Sequence, residues 1–556
     1  MNNQYDYIIV GAGSAGSVLA NRLSADGKTT VCLLEAGPKD RTPFISIPGA
    51  FAYFMFSKKY NWRFNSTSSP GIRNGQPIFC PRGKTLGGSS AVNGMVYIRG
   101  HQSDYDHWAE LGNEGWSYDD VLPYFVKSET NERIKDEYHG TTGPLYVSDT
   151  PGYYPQAHAF LDAAQQAGIP RTDDFNGENF EGAGFYQFTI RNGERCGVSR
   201  AYLKPSLNRP NLTVITDAHA QKVLFDGKQA KGVLYKEGVN DKLVMATKEV
   251  ILCGGAFNSP QLLMLSGIGD AEHLKQHEIN LVHELPGVGK NLQEHVDACV
   301  LHSSLKRDGF TMSTGGLLRM MPDTIKYFKT RKGKLAASIT EAGAFIKSNP
   351  KVKVPDIQLH FLPLLFDDSG RDLKLMSKDG FSCHACVLRP KSRGSVTLDS
   401  NDPYAAPVID FNFFDHPEDQ KTLVDGIRQV RKIMAADALK SWRGEEMHPG
   451  SNVQSDAEIL QKCKDKLGVV YHPVGTCKMG NDTLAVVDNQ LRVHGVKGLR
   501  VVDASVMPTL ISGNTNATTI MIAERAADLI LGNEPLKGAL NSQKRRSVLL
   551  QEEAPA

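Results

Sequence analysis

Apolar residues near the N-terminus form two short continuous runs, separated by a segment in which they recur at helical spacing. Residues 5–10 are rich in β-branched side chains and predict a buried strand, and residues 29–34 predict a second one. Between these runs, residues 17–24 carry apolar side chains at the spacing of a helix. The chain is therefore predicted to begin with a strand–helix–strand unit.

Further apolar strands are predicted far from this unit, at residues 212–216, 249–253 and 499–502. Strands this far apart along the chain indicate one sheet assembled from separated segments. The interval from 310 to 465 has a different pattern. It contains no glycine-rich nucleotide-binding turn, and it combines predicted strands at 356–361, 381–388 and 394–398 with a predicted helix at 420–434.

These patterns predict an α/β fold that is α+β overall. A Rossmann-like dinucleotide-binding domain built from separated segments is joined to a second domain that contains a largely antiparallel sheet flanked by helices. We assign residues 1–155, 196–309 and 466–536 to the first domain, residues 156–195 and 310–465 to the second, and residues 537–556 to a tail.

Length and composition support this division and narrow the choice of partners. A chain of 556 residues exceeds what one hydrophobic core usually organises, so two closely joined domains are expected. Hydrophobic residues make up 40% and charged residues 22%, which is typical of globular proteins. Because the formal net charge is only +2, nothing indicates nucleic acid as a partner.

Nine scattered cysteines argue against a disulfide framework and favour a reducing compartment. Cys383 and Cys386 form one C-x-x-C pair, and no second pair lies at zinc-binding spacing. We therefore expect two buried residues on a strand and no metal site. No signal peptide is recognisable and no run of about 18 apolar residues occurs, so we expect a cytoplasmic protein. Peripheral contact with the inner face of the cytoplasmic membrane remains an open alternative, and the basic tail is interpreted as solvated.

A glycine-rich turn directly follows the first predicted strand. Gly11, Gly13 and Gly16 form a G-x-G-x-x-G motif, and Glu35 lies 19 residues after the last of these glycines. In this context the glycines allow a tight turn, close approach of the backbone to a pyrophosphate, and close packing of helix on strand. The helix N-terminus attracts phosphate, and Glu35 is placed to accept hydrogen bonds from ribose hydroxyls. The motif predicts a dinucleotide site without deciding between FAD and NAD.

A second glycine-rich segment covers residues 82–94. Its paired glycines and small hydroxyl residues allow two interpretations. The backbone either approaches a flat ring and a pyrophosphate, or simply threads as a loop between two domains. The residues alone do not separate these alternatives.

Seven motifs follow one another over nearly the whole chain: DYIIVGAGSAG at 6–16, LLEAG at 33–37, RGKTLGGSSAVNGMVYIRG at 82–100, GGAFNSPQLLMLSGIG at 254–269, LPGVGKNLQEH at 285–295, YHPVGTCKMG at 471–480 and VVDASVMPTLISGNTNATTIMIAERAADLI at 501–530. With these motifs the chain resembles the glucose–methanol–choline (GMC) oxidoreductase family. Within the family it is most similar to bacterial choline dehydrogenases and FAD-dependent aliphatic alcohol dehydrogenases.

The resemblance implies that the dinucleotide is FAD. Some family members attach FAD covalently through a histidine in the second glycine-rich segment. Val92 stands at that position here and is no nucleophile, so non-covalent FAD is expected. The resemblance also places the backbone of Val223 against the adenine, and Asp503 and Ala504 beside the ribityl and phosphate groups. Together with the glycine-rich turn, this gives the following expected cofactor-binding set: Gly11, Gly13, Ser14, Ala15, Gly16, Glu35, Ala36, Arg82, Gly87, Gly88, Ser90, Asn93, Gly94, Met95, Val96, Val223, Asp503, Ala504, Asn514 and Ala517.

Oxidation of an alcohol needs a proton acceptor at the oxygen and a hydride acceptor at the carbon. The resemblance implies that His472 takes the proton, which suits a neutral imidazole, and that flavin N5 takes the hydride. Asn516, at the start of a helix predicted at 517–531, is expected to hold the substrate oxygen beside His472, with Asn514 as the alternative. A helix cap is the competing interpretation of Asn516. His101, His107, His139 and His295 are expected to be structural or surface groups.

The second domain is expected to cover the flavin and to select the substrate. Residues 341–345 and 360–366 are the candidate lining, and Glu341 is a possible partner for a quaternary ammonium group. A primary alcohol, aliphatic or aromatic, is favoured over choline, with electrons passing to a quinone, another respiratory acceptor or an artificial acceptor. An oxygen-using oxidase, a lyase, a light-driven decarboxylase and a non-catalytic flavoprotein are the competing hypotheses.

Overall fold

The computed structural model describes residues 3–367 and 370–537, so all but the first residue of the predicted tail lies outside the described residues. The first of two large sheets has seven strands and a mainly parallel half. In order across the sheet these strands are Leu212–Ile215, Val31–Leu34, Gln4–Val10, Asn240–Leu252, Gln229–Glu237 and Ala218–Asp226, and Leu499–Val501 pairs in parallel with Asn240–Leu252. The last three strands of this order pair antiparallel with one another, as two successive hairpins.

The second sheet also has seven strands, and all of its pairs are antiparallel. In order they are Arg443–His448, Val296–Ser304, Gly380–Val387, Ile357–Leu362, Ala342–Ile346 and Gly182–Phe185, and Gly468–Val469 pairs with Val296–Ser304. Its outer face packs against Pro417–Ala435 and Pro155–Gln166. The predicted fold class, with its Rossmann-like sheet and its antiparallel sheet, is confirmed.

The boundary drawn at residue 310 does not coincide with membership of the sheets. Val296–Ser304 belongs to the second sheet, where it pairs with Gly380–Val387 on one side and with Arg443–His448 on the other. The chain therefore crosses between the sheets before residue 296. Gly468–Val469 likewise lies in the second sheet, after the predicted return at 466. Whether the two sheets define separate domains at these positions stays a prediction.

The remaining elements pack around and between the two sheets. The longer helices are Ser14–Leu23, Gln102–Glu110, Tyr118–Ser128, Pro155–Gln166, Gly255–Leu265, Ala271–Gln276, Thr314–Thr330, Pro417–Ala435, Asp456–Asp465 and Asn516–Leu531, and the short ones are Pro43–Ser46, Tyr53–Phe56, Lys204–Ser206 and Leu373–Met376. The small sheets comprise Phe64–Asn65 with Phe79–Cys80, Glu129–Asn131 with Leu145–Asp149 and Gln187–Phe188, Ile190–Arg191 with Glu194–Arg195, Ile268–Gly269 with His283–Glu284, and Ser395–Thr397 with Val408–Asp410. Over residues 3–367 and 370–537, no helix combines the length and the apolarity that crossing a membrane requires.

Local sequence explains why the first helix and its neighbours lie where they do. Ser14–Leu23 buries its apolar side against the first sheet and against Asn516–Leu531, the last helix of the described chain. That last helix is buried along most of its length, including the polar residues Thr518, Thr519 and Glu524. Cys383 and Cys386 are both buried on the strand Gly380–Val387.

Candidate active site

One large cavity, of about 400 Å³, lies between the two sheets. On one side it is lined by Val10, Leu34 and Leu252, at the carboxyl ends of parallel strands, where α/β folds place their ligands. On the other side it is covered by the second sheet. We call this covering face the roof, and its residues on the cavity include His360 and His384.

The predicted dinucleotide turn borders one end of the cavity. Gly11 has a φ of +103°, and a Cβ atom there would lie 2.5 Å from the Cys253 carbonyl oxygen, so only glycine fits. A Cβ atom on Gly16 would lie 1.9 Å from the Gly11 carbonyl oxygen, which fits its predicted role in packing helix against strand. The helix that begins at Ser14 directs its first N–H groups to the cavity, as phosphate binding requires.

Glu35 lies directly after the second strand and lines the cavity. Its two carboxylate oxygens accept hydrogen bonds from the backbone N–H groups of Ala12 at 2.9 Å and Gly37 at 2.8 Å. Burial raises the pKa of Glu35 to about 7. Each oxygen retains a further lone pair, so Glu35 both braces the glycine-rich turn and remains able to accept from ribose hydroxyls.

The second glycine-rich segment touches the first. Gly88 has a φ of +51°, and a Cβ atom there would come within 2.6 Å of the Gly13 Cα atom. The segment is held by Arg195, whose Nη1 donates to Oδ1 and to the carbonyl of Asn93, both at 2.7 Å, and whose Nε donates to the Ile45 carbonyl at 3.0 Å. Arg195 was missed from the sequence because it belongs to no glycine-rich motif and lies a hundred residues further along the chain.

Most of the expected cofactor-binding residues line this cavity. They are Gly11, Gly13, Ser14, Ala15, Glu35, Ala36, Arg82, Gly88, Asn93, Gly94, Met95, Val96, Asp503, Ala504 and Asn514. Gly16, Gly87, Ser90, Val223 and Ala517 do not line it. Gly16 acts through packing, and Ala517 is buried inside the last helix.

Two of these residues make hydrogen bonds within the protein. The N–H of Val223 donates to Ser266 Oγ at 2.9 Å. Ala218, His219 and Ala220, earlier on the same strand, line the cavity. Ser90 Oγ donates to the Gly87 carbonyl at 2.7 Å and accepts from the N–H of Val198 at 3.1 Å. Ser90 therefore braces its loop.

The cavity lining fits a bound flavin dinucleotide. A Cβ atom on Gly94 or on Gly255 would project into open space, so backbone faces the cavity at both positions. Asp503 holds the Gly255 turn, because its Oδ2 accepts from that N–H at 2.8 Å. The helix that begins at Asn516 adds a second N-terminus to the lining. Val92 also lines the cavity and offers it an apolar side chain.

His472 lies at the junction of this cradle and the roof, and it is buried. Its Nδ1 is 3.0 Å from Nδ1 of His295. Nε2 of His295 lies 3.2 Å from the Leu388 carbonyl oxygen and 3.1 Å from that of Ile511, so this nitrogen carries the hydrogen. Burial lowers the pKa of His295 to about 4, so its ring is neutral and its Nδ1 accepts from His472. The hydrogen-bond network thus leaves Nε2 of His472 without a proton and able to act as a base.

Asn514, not Asn516, is the asparagine beside this base. Nδ2 of Asn514 donates to Nε2 of His472 at 3.1 Å, and Oδ1 of Asn514 accepts from Gln358 Nε2 at 3.2 Å. Asn516 Oδ1 accepts from Ser14 Oγ at 2.7 Å and so joins the last helix to the first. Asn516 also lines the cavity, and its expected role in holding the substrate oxygen stays a prediction.

Glu294 and Arg82 fix the backbone around His472. The sequence indicated no role for either side chain beside the catalytic base. Glu294 Oε1 accepts from the N–H groups of His472 at 2.7 Å and of His295 at 2.9 Å, so one carboxyl group holds both histidines. Tyr471 has a φ of +68°, and its carbonyl accepts from Arg82 Nη2 at 2.7 Å. Burial raises the pKa of Glu294 to about 8, against the opposing effect of Arg82.

The electrostatic surroundings favour a neutral base. Burial lowers the pKa of His472 well below its ordinary value of 6.5, and His295, His360 and the Arg82 cation lower it further. Burial likewise lowers the pKa of His360 to about 4. A neutral imidazole with its lone pair toward a cavity is able to accept a proton from a bound hydroxyl group.

The two candidate lining segments of the second domain have different outcomes. In the segment 360–366, His360, Leu362 and Phe366 line the cavity. Glu341 does not line it. Its carboxylate accepts from Thr150 Oγ1 at 2.7 Å and from two backbone N–H groups, at residues 153 and 154, so it holds a loop and is unavailable to a cationic substrate.

Sequence comparison matches two profiles described as GMC oxidoreductase, one to residues 5–297 and the other to residues 390–523. The chain is 47% identical to an "Alcohol dehydrogenase [acceptor]" of Pseudomonas putida over 95% of this chain and 96% of that one. It is 43% identical to an "Oxygen-dependent choline dehydrogenase" of Brucella ovis over 96% of each chain.

Among solved structures, formate oxidase of Aspergillus oryzae RIB40, studied for the effect of a mutation on FAD modification, superposes with a TM-score of 0.88. It is 27% identical in sequence, and the match covers 96% of this chain and 98% of that one.

Proposed function

The chain belongs to the GMC oxidoreductase family, and from this premise we propose that it oxidises a primary alcohol, aliphatic or aromatic, to the aldehyde with FAD as cofactor. The observation that carries the proposal is the unprotonated Nε2 of His472, held beside the Asn514 amide between the dinucleotide cradle and the roof. The relative in Pseudomonas putida supports an alcohol as the substrate.

The residues of this chain divide the work as follows. When substrate binds, the Asn514 amide donates to the substrate oxygen instead of to Nε2 of His472, and that nitrogen then accepts the hydroxyl proton. Gln358 and His295 fix the rotamers of these two side chains through the contacts described above. When bound, FAD supplies the hydride acceptor. The N-terminus of Asn516–Leu531 adds positive potential where negative charge develops during the reaction.

FAD is proposed to be held non-covalently. Val92 lies at the cavity and offers no nucleophile. The cofactor is therefore expected to leave the protein on acid precipitation and to appear in the supernatant. Flavin absorbance that remains with the washed protein pellet would contradict this proposal.

Anaerobic bleaching of the flavin absorbance in the dark tests the reaction class. Primary alcohols are expected to bleach the oxidised flavin, whereas a lyase or a light-driven decarboxylase leaves it oxidised. His472→Ala is expected to retain FAD and to slow bleaching by roughly 10²- to 10⁴-fold, the usual contribution of a general base. A panel of alcohols without any bleaching, or a normal rate in His472→Ala, refutes the proposal.

Electrons are proposed to pass to a quinone or another respiratory acceptor at the inner face of the cytoplasmic membrane. Re-oxidation of the bleached enzyme by a soluble quinone analogue, compared with re-oxidation by oxygen, tests this step. Faster re-oxidation by oxygen would assign an oxidase instead.

The exposed helix Thr314–Thr330 supports membrane contact. Among its residues, only Gly316 and Tyr327 are buried. Its exposed apolar side chains fall within an arc of about 100° at 100° per residue, and the most exposed, Leu318 and Phe328, are 60% and 61% exposed. The strip beside this arc carries exposed lysines. The apolar residues of the arc are Leu317, Leu318, Met321, Ile325 and Phe328.

An apolar arc beside a cationic strip complements a bilayer that contains anionic lipids. On the buried side of this helix, Tyr327 packs with Ile47. Phe44, in the same short segment as Ile47, stacks its exposed ring on that of Tyr53. Met55, in the same short helix as Tyr53, lines the cavity. The segment that packs against this helix thus also reaches the cavity wall, which suits a lipid-soluble acceptor.

Sedimentation with vesicles tests the membrane proposal. Wild-type protein is expected to bind vesicles of mixed phosphatidylglycerol and phosphatidylcholine, and Leu318→Ser with Phe328→Ser is expected to weaken binding about tenfold or more. Leu281→Ser, at a 49% exposed leucine outside this helix, is the matched control. Equal binding of the double variant and the wild type contradicts the assignment of this helix.

A further inference from the structure

The Asn514 amide has two ends of similar size, and alcohol oxidation needs only one of them at the substrate. With Nδ2 toward the cavity, the amide donates to the substrate oxygen and leaves the hydroxyl hydrogen for His472. With Oδ1 there, the amide would accept the hydroxyl hydrogen and hold it away from the base. A bound substrate replaces the contact between Asn514 and His472, so that contact no longer decides which end faces the cavity. Another group has to decide it.

Gln358 is the group that bonds to the other end of this amide. It lies on the roof strand Ile357–Leu362, is fully buried and does not line the cavity. Its Nε2 donates to Asn514 Oδ1 at 3.2 Å and to the Tyr186 hydroxyl oxygen at 3.2 Å. The nitrogen of a side-chain amide carries two hydrogens, so both are in use. Because Gln358 presents its nitrogen, Asn514 has to present its oxygen to it, and Nδ2 of Asn514 faces the base.

Tyr186 fixes which end of its own amide Gln358 presents. The Tyr186 hydroxyl group donates to the Leu359 carbonyl oxygen at 2.8 Å, and a carbonyl oxygen can only accept. The hydrogen of this hydroxyl group is therefore in use, and its oxygen is left to accept from Gln358. A reversed Gln358 amide would place Oε1 against two oxygen atoms, those of Tyr186 and Asn514.

The packing around this group preserves the same arrangement. A Cβ atom on Gly343 would lie 2.2 Å from the Leu359 carbonyl oxygen and 2.2 Å from the Tyr186 hydroxyl oxygen, so only glycine leaves room for their hydrogen bond. Oε1 of Gln358 is buried and has no hydrogen-bond partner among the residues that the structure describes. A buried carbonyl oxygen without a partner is tolerated more readily than an N–H group without one, which favours the observed direction of the amide.

We infer that Gln358, held by Tyr186, is a positioning residue that sets the direction of the Asn514 amide and thereby keeps Nε2 of His472 free of hydrogen. The inference rests on the proposed alcohol oxidation, in which that nitrogen is the base. From Gln358 the donors point in one direction, through Asn514 and both histidines, to two backbone carbonyls. A reversal at any step places two acceptors or two donors in contact.

The protonation of His472 tests the inference without any substrate. Gln358→Glu keeps the shape of the side chain, but its carboxylate can only accept and repels Oδ1 of Asn514. The Asn514 amide is expected to reverse, which brings Oδ1 against Nε2 of His472 and leaves a hydrogen on that nitrogen. Histidine ¹⁵N NMR of the holoenzyme detects this hydrogen, and the His472 signals are assigned by their loss in His472→Ala. Spectra are recorded at about pH 9.5, above the pKa values documented for buried glutamates.

Gln358→Met is the matched control, because it removes both the donor and the acceptor with little change in volume. Nε2 of His472 is expected to stay unprotonated in this variant, since His295 still accepts from Nδ1. The ratio of flavin absorbance to protein absorbance serves as the folding control. Unchanged His472 signals in Gln358→Glu overturn the inference. A hydrogen on Nε2 in both variants would come from disturbed packing and overturns it as well.

Rates of flavin bleaching give a second test, which decides if Gln358→Glu takes up no flavin. A hydroxyl group can bind either end of the Asn514 amide, so Gln358→Met is expected to leave KM for the alcohol nearly unchanged. Its bleaching rate at saturating alcohol is expected to fall roughly 5- to 10-fold, the worth of one hydrogen bond. Gln358→Glu is expected to lose about 10²-fold or more, as for a donor lost at a reacting oxygen.

A wild-type bleaching rate in Gln358→Met, or a raised KM with an unchanged rate, overturns the inference. Tyr186→Phe is expected to lie between the wild type and Gln358→Met, because Gln358 then keeps its contact with Asn514 but loses the group that orients it. Wild-type enzyme that no alcohol bleaches refutes the proposed oxidation. The NMR comparison still decides the role of Gln358 in that case, because it needs no substrate.

Discussion

His295 is predicted to control the rate of alcohol oxidation without touching the substrate. The structure makes it the acceptor for the Nδ1–H of His472, while its own Nε2–H donates toward two backbone carbonyls. His295→Leu removes that acceptor and leaves a buried N–H without a partner, at a cost of about 1 to 3 kcal/mol. His472 avoids this cost by moving its proton to Nε2 or by rotating, and either change removes the lone pair from the cavity.

The expected loss follows from that free energy. A penalty of about 1 to 3 kcal/mol corresponds to roughly a 5- to 150-fold smaller population of the productive ring, and the rate of flavin bleaching is expected to fall by the same factor. Anaerobic stopped-flow measurement of bleaching gives this rate, and flavin content serves as the folding control. His295→Gln is the matched variant, since its amide both accepts from His472 and donates to a carbonyl. A normal bleaching rate in His295→Leu would falsify the tautomer assignment.

Three further predictions follow from the site. Asn514→Ala is expected to lower the rate of flavin bleaching about 10²- to 10³-fold with FAD retained, because one donor to the reacting oxygen is lost. Asn516→Ala is expected to weaken the retention of FAD more than the rate of bleaching. The reverse pattern contradicts the assignment of these two residues. Gly88→Ala is expected to yield protein with little flavin, because it places a Cβ atom 2.6 Å from Gly13 Cα at a φ of +51°. A normal ratio of flavin absorbance to protein absorbance refutes the close contact. Because the pKa of His472 is lowered, its ring is expected to stay neutral at every pH above 6.5 and to become charged only well below that pH. A ¹⁵N NMR titration in which the His472 ring becomes charged at or above pH 6.5 contradicts this prediction.

The sequence predicted the dinucleotide end of the site well because the determinants there are local. The positions of Gly11, Gly13 and Gly16 are each required by contacts within one strand–turn–helix unit, and Glu35 follows from the end of the next strand. The same holds for the two sheets, whose apolar runs were recognised individually. Val296–Ser304 was not assigned to the second sheet because its pairing partners lie more than 70 residues away.

The catalytic end was harder to predict because it depends on which way side chains point after folding. Asn514 and Asn516 are two residues apart, and a shift of two residues at a helix start changes the direction of the amide. His384 carried no sequence signal, since only its position opposite His360 in the folded sheet shows that it faces the cavity.

The hydrogen bond between Ser14 and Asn516 joins residues that are 502 positions apart in the chain. During synthesis, the phosphate-binding turn emerges first, but its partner helix leaves the ribosome only when almost the whole polypeptide has been made. Chains that stop early therefore lack one wall of the nucleotide cradle. Yellow colour in a preparation of this protein would then report that translation reached the last helix, which makes flavin uptake a natural check for complete chains.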